Sequence, residues 1–167
     1  MIVVSNSGPL IHLTKLNLLY LLKKLFGMIF ITRKIYEETV IAGKRRGYTD
    51  ANIIEKAIDD WIIVIPHKVS HDFKLKAISF GLDEGEIEAI SLARYLGAML
   101  LIDDKKGRMF AESIGLRITG TLGIIIMSAK KRLISKETAK SKLMLLPEIM
   151  HISQDLINKA ILEVNDV

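Results

Sequence analysis

GLDEGEIEAISLARYLGAMLLIDDKKGR, residues 81–108, is the stretch on which the fold turns. Asp83 stands in an N-cap position ahead of apolar residues at helical spacing, Ile87, Ile90, Ala93 and Leu96, and Gly97 stops the run. Ala98–Ile102 then reads as a short buried strand, followed directly by Asp103 and Asp104. If that strand belongs to a parallel sheet, the helix before it starts at the carboxyl edge, runs back along the sheet and feeds a strand that returns to the same edge. Glu86, in the first helical turn, and the Asp103–Asp104 pair then converge although they are separated in sequence. Each acid also has a plainer local role. Asp83-x-x-Glu86 is a capping-box spacing, and acids after a strand cap the next helix, here Lys105–Ile114.

Outward from this stretch, strand-like and helix-like segments alternate. Met1–Val4 is a β-branched run broken by the loop chemistry of Ser5-Asn6-Ser7-Gly8-Pro9. Leu10–Leu25 carries leucines at helical spacing and ends at Gly27. Met28–Ile31 is the next strand, Thr32 the cap of a helix over Lys34–Ile41 with Glu37 and Glu38 in its opening turns. Asp50–Asp60 reads as a helix, Trp61–Ile65 as a strand stopped by Pro66, and Ser70–Phe80 as a helix. Beyond residue 108 come a strand at Leu116–Ile118 and helices near Leu122–Lys131, Lys136–Leu145 and Gln154–Val164. The alternation predicts a three-layer α/β/α sandwich with a mainly parallel sheet, the whole chain 1–167 forming a single domain.

Composition narrows the function classes. With 50% hydrophobic residues in 167, the chain can bury a substantial core, and no apolar run approaches the roughly 20 residues that span a bilayer. A soluble, cytoplasmic protein with no membrane partner is the expectation. The absence of cysteine removes disulfides and thiolate metal sites, so any metal binds through oxygen or imidazole. A net charge of +5 suits polyanionic partners. Gly43-Lys-Arg-Arg-Gly47 is a basic turn that reads as solvated surface yet suits a phosphate backbone. His67 and His71 are spaced i, i+4 but lack the glutamate of a HExxH zinc motif and straddle a helix start, which argues against zinc there.

Ligands of a parallel sheet collect beyond the carboxyl ends of its strands. Asn6, Glu38, Glu86 and Asp103 or Asp104 all map to that edge, and a set of oxygen donors without sulfur suits Mg²⁺ or Mn²⁺. Clustered carboxylates repel one another unless a cation or a proton intervenes. The chemistry that follows is hydrolysis of a phosphodiester, with Lys105, Lys106 and Arg108 holding the nucleic-acid backbone; Ser7 and Thr119 are further candidates for that contact.

The segments VVSNSGPLIHL, ITRKIYEETV, LDEGEIEAISLA, LLIDDKKGR and TGTLGIII, in this order, resemble PIN-domain proteins over roughly residues 1–130. The resemblance implies a metal-dependent ribonuclease, a fold often found as the toxin of a toxin–antitoxin pair, and by position it matches Asn6, Glu38, Glu86 and Asp103 or Asp104 to the family's acidic quartet. Asn6 departs from the pattern, since the family usually has aspartate there; an amide ligates through its carbonyl oxygen and brings no charge. Three readings follow: a ribonuclease acting on RNA with an antitoxin protein as partner, a nucleic-acid-binding module without useful catalysis, and a regulatory subunit. The apolar faces of Leu10–Leu25 and Leu122–Met127 exceed what a small sheet needs, which predicts a homodimer.

Overall fold

A computed structural model describes residues 1–167. Five short strands, β1 (Val3–Ser5), β2 (Ile29–Thr32), β3 (Ile62–Ile65), β4 (Met99–Leu101) and β5 (Ile118–Thr119), form one sheet in the order β3-β2-β1-β4-β5. Every pairing is parallel, with Val4 opposite Phe30 on one side and Leu100 on the other. Sheets of this kind are covered on both faces, so their strands carry apolar residues without alternation. Val3, Val4, Ile29, Ile31, Leu100 and Leu101 are accordingly all buried.

The chain leaves β1 toward β2 and β3, then crosses back over β2 and β1 to β4 and continues to β5. Right-handed crossovers in opposite directions place their helices on opposite faces. On one face, α6 (His71–Ser79), α7 (Glu84–Leu96) and α8 (Lys105–Ser113) pack together, with α7 lying across β1, β2 and β4. The other face is formed by α1 (Ser7–Lys15), α2 (Tyr20–Phe26), α5 (Thr49–Ala57) and α9 (Thr121–Lys130). The strand order reverses between β1 and β4, which opens a crevice at their carboxyl ends, beside Asn6 and Asp103.

Three sequence expectations need correction. The leucine-rich stretch is two helices: Asn17 takes a left-handed φ of 58° between α1 and α2, and Leu18 resumes apolar packing in the turn. Helix α1 also begins earlier than the loop chemistry suggested, at Ser7, because Pro9 falls in the first turn, where its missing N–H costs nothing. Thirdly, the helix after β2 is not uniform. A short α3 (Arg33–Tyr36) passes into a π-helical turn over Glu37–Ile41 before α4 (Ala42–Arg45) resumes the α form.

The reason given for a homodimer also fails. Leu13, Leu16, Leu18, Leu19, Leu21 and Leu22 are buried, as are Ile124, Ile125 and Ile126. Their cover comes from within the chain, where α10 (Lys136–Leu145) and α11 (Gln154–Asn165) form a hairpin against α9, and α9 in turn packs on α1 and α2. No helix is long and apolar enough to cross a membrane.

Candidate active site at the carboxyl edge

The first turn of α7 is built by the acids that the sequence singled out. The Asp83 carboxylate accepts the Glu86 backbone N–H at 2.8 Å, and Glu86 Oε2 accepts the Asp83 N–H at 2.9 Å, a complete capping box. Two donors that the helix leaves orphaned are thus satisfied reciprocally. The same geometry draws the Glu86 carboxyl into a half-buried position, and burial, joined by the negative charges of Asp83 and Asp104, pushes its pKa up to about 7 against the opposing backbone hydrogen bond at Asp83. The Asp104 carboxylate is thus a close neighbour of Glu86. Capping and convergence are therefore two consequences of one placement.

Asp103 and Asp104 divide their work. Asp104 is the N-cap of α8, its carboxylate accepting the Gly107 N–H at 2.8 Å while it faces Glu86. Asp103, with its side chain only 8% exposed, points to the other side of β4. Its Oδ1 accepts the Thr121 N–H at 2.7 Å, and its Oδ2 accepts the Thr121 hydroxyl at 2.6 Å and meets His12 Nδ1 at 2.7 Å. The position of Thr121 at the start of α9 adds the positive end of that helix. Asp103 thereby ties β4 to α1 and α9, and Gly120 leaves just enough room: a Cβ there would stand 2.5 Å from Asp103 Oδ1 and 3.0 Å from the Ile102 carbonyl.

Asn6 caps the register of β1 and β4, its N–H donating to the Leu101 carbonyl at 2.9 Å. Its side chain, although the residue is 7% exposed, forms no hydrogen bond with the protein and leaves the α1 N-terminus uncapped. That free amide stands one strand away from Asp103. Glu38, on the π-helical turn, accepts the Ser7 hydroxyl at 2.5 Å. Burial raises its pKa, helped by Asp83 and Glu84, while the Ser7 bond and Lys34 oppose the shift. The Glu38 carboxylate lies flat against Gly85, where any Cβ would collide with it. Glu38 and Glu86 thus flank one glycine of α7.

The expected cationic contacts are unequal. Lys105 and Lys106 are exposed at the start of α8, with Lys106 Nζ beside Gly81. Arg108 turns inward and donates to the Ile102 carbonyl at 3.0 Å, bracing the end of β4. Ser7 is committed to Glu38, and the Thr119 hydroxyl is packed against Gly123. A cleft of about 380 Å³ opens beside Glu38, lined by Lys34, Glu37 and Arg45 among others.

Sequence reasoning missed His12, Thr121, Lys34 and Gly85. Gly85 carried a signal, since glycine inside a helix costs about 1 kcal/mol relative to alanine and calls for a packing reason. Nothing local marks His12, which is a lone histidine in an apolar helix. No group of three or more Asp, Glu or His side chains is arranged to hold a metal ion. What the edge offers instead is the Glu86–Asp104 carboxylate pair, with the Asn6 amide and Glu38 at the same edge and Asp103 turned away toward His12 and Thr121. All are oxygen donors, the set that a hard divalent cation prefers, and the raised pKa of Glu86 marks a charge that a cation would relieve.

Known structures and families agree with this architecture. A PilT N-terminus domain protein from the hyperthermophilic archaeon Sulfolobus solfataricus superposes with a TM-score of 0.51 at 20% identity, over 77% of this chain and 93% of that one. No curated protein matches the chain. A family model described as a PIN domain matches residues 2–166, taking in the C-terminal helices that lay outside the resemblance, and the chain belongs to the PIN-domain family.

Proposed function

We propose that this protein is a metal-dependent ribonuclease that hydrolyses RNA phosphodiester bonds at the β1–β4 crevice. PIN domains are in general nucleases, and they typically use divalent metal ions. The observation that carries the reading is the Glu86–Asp104 pair, two neighbouring carboxylates at the strand-order reversal, one of them with its pKa pushed up to about 7. Such a pair calls for a proton or a cation, and Mg²⁺ or Mn²⁺ fits its donors. Glu86 and Asp104 would hold the ion, with the Asn6 carbonyl oxygen as a further donor, while Asp103, turned to Thr121 and His12, keeps the end of β4 in place. When bound, such an ion supplies the charge that polarises a phosphodiester and favours its attack by water.

The chain's own residues do the rest. His12 and Thr121 fix the orientation of Asp103, Ser7 holds Glu38 against α7, and Arg108 keeps the end of β4 in place. Lys105 and Lys106, the exposed cations of the set, meet the RNA backbone. A toxin role with an antitoxin partner, and self-association through the exposed apolar residues Leu75, Ile78, Phe80 and Met109, extend the same proposal.

A second reading has its own observation. Because Asn6 brings no charge and no three acids converge, a PIN-like protein that binds nucleic acid or regulates without cleaving is the competing function. Incubation of purified protein with labelled RNA, with and without Mn²⁺, separates the two, with Glu86→Gln as control. The nuclease reading expects cleavage that needs the metal and disappears in the variant; binding without cleavage at any divalent concentration leaves the second reading.

A further inference from the structure

Nine residues beyond Glu86, about two and a half helical turns, α7 presents Tyr95 on its opposite side. There the loop after β3 and the start of α6 meet the end of α7 around a pocket of about 310 Å³. His67 Nε2 and the Ser91 hydroxyl are 2.8 Å apart across it. The imidazole lies against the Tyr95 ring, with centroids 5.8 Å apart and planes at 43°. Burial holds the His67 pKa below its usual value, against the pull of Glu88, so at neutral pH this ring is an uncharged, flat surface.

Two cations edge the pocket. Lys68 is exposed and has no carboxylate partner. Arg94 also lacks an acidic partner and rests instead over the Phe73 ring at 5.8 Å, its guanidinium left open to solvent. Tyr95 is 79% exposed, the most exposed aromatic ring in the protein. No Asp or Glu lines the pocket.

We propose that this pocket is a second RNA subsite, which seats one nucleotide of a single strand with its base on the Tyr95–His67 platform and its phosphate between Lys68 and Arg94. Stacking rings interleaved with unpaired cations are the combination by which proteins hold single strands without reading sequence. The outward position of Tyr95 favours a strand over a free nucleotide, because an enclosed small ligand would need polar groups around its base, and this ring stands open. The subsite rests on the reading of the protein as RNA-directed, and it deepens that reading by giving the strand a hold distant from the carboxylates.

The test is fluorescence anisotropy of a short labelled single-stranded oligoribonucleotide, in EDTA so that cleavage does not intervene. Tyr95→Ala and the double variant Lys68→Ala/Arg94→Gln are compared with the parent and with Tyr20→Ala, an exposed aromatic of α2 outside both sites, all checked for parental thermal unfolding. Tyr95→Ala is expected to weaken binding roughly tenfold, the size of one lost base stack. The double variant should also weaken binding and should flatten the salt dependence by about 0.7 in log–log slope, the effect of one lost phosphate contact on a single strand. Tyr20→Ala should bind as the parent does. Parental affinity and salt slope in both pocket variants would overturn the subsite, as would a parent that binds no RNA, or displacement of the strand from the pocket by adenosine monophosphate at equal affinity. Binding with these losses but no cleavage in Mn²⁺ overturns the nuclease reading alone.

Discussion

Replacing Glu86 by glutamine separates the electrostatic cost of the carboxylate pair from its capping role. Glutamine keeps the acceptor for the Asp83 N–H, since a capping box accepts either residue, and its amide donates to Asp104 at every pH. The parent differs. Its Glu86 pKa moves from 4.5 to about 7 on folding, so between those values the native state holds a proton that the unfolded chain has released. Stability is therefore fully present below about pH 4.5 and is lost as the pH rises through 7. At 1.36 kcal/mol per pH unit the full shift corresponds to about 3 kcal/mol, and because the carboxyl is half-exposed, solvent screening reduces this to about 1–2 kcal/mol. Glu86→Gln should match the parent near pH 4.5 and exceed it by about 1–2 kcal/mol near pH 8, roughly 3–6 °C in Tm for a chain of this size. Thermal melts followed by circular dichroism in EDTA at the two pH values measure it. Saturating Mn²⁺ at the higher pH should then raise the Tm of the parent and leave the variant where it was. Equal pH dependence in the two proteins would refute the account of a half-buried, repelled carboxylate.

Other perturbations report on the neighbours of that pair. Asn6→Asp should lower the metal-free Tm and increase the rise that Mn²⁺ produces, because it adds a charge at an edge already crowded with acids; an unchanged response to metal counts against Asn6 as a ligand position. Thr121→Val removes one of the two bonds that Thr121 gives to Asp103 while keeping the side chain's shape, and urea denaturation should show a loss of about 1–2 kcal/mol. Light scattering should give twice the 18.8 kDa of one chain if the patch at Leu75, Ile78, Phe80 and Met109 is a self-interface, and Ile78→Lys should then return it to that single mass.

The architecture was legible because its signals are local. Apolar runs of three to five residues mark strands buried on both faces, and Asp83 with Gly97 brackets α7 at both ends. The break at Asn17 was hidden because α1 and α2 bury leucines in the same core, so the apolar rhythm continues through it. The split between Asp103 and Asp104 was equally invisible. It depends on β4 ending at Leu101 and on where α9 and α7 begin, which are facts of tertiary placement. Arg108 illustrates the same limit, since a basic residue near an acidic edge reads as a ligand contact until its donor is found on the Ile102 carbonyl.

The π-helical turn at Glu37–Ile41 fixes what insertions and deletions this protein tolerates. Its signature bond runs from the Ala42 N–H back to the Glu37 carbonyl, one residue further than in an α-helix. Removing one residue from this turn would let a regular helix run from Arg33 to Arg45, with more favourable local hydrogen bonding. It would also rotate everything on one side of the cut by about 100° relative to the other. Either Glu38 would leave Ser7 and Gly85, or Thr39 and Val40 would leave the core. A single-codon deletion here is thus expected to yield a well-formed helix with its acid facing the wrong way, a lesion that circular dichroism would miss and that only the Glu38–Ser7 contact would reveal.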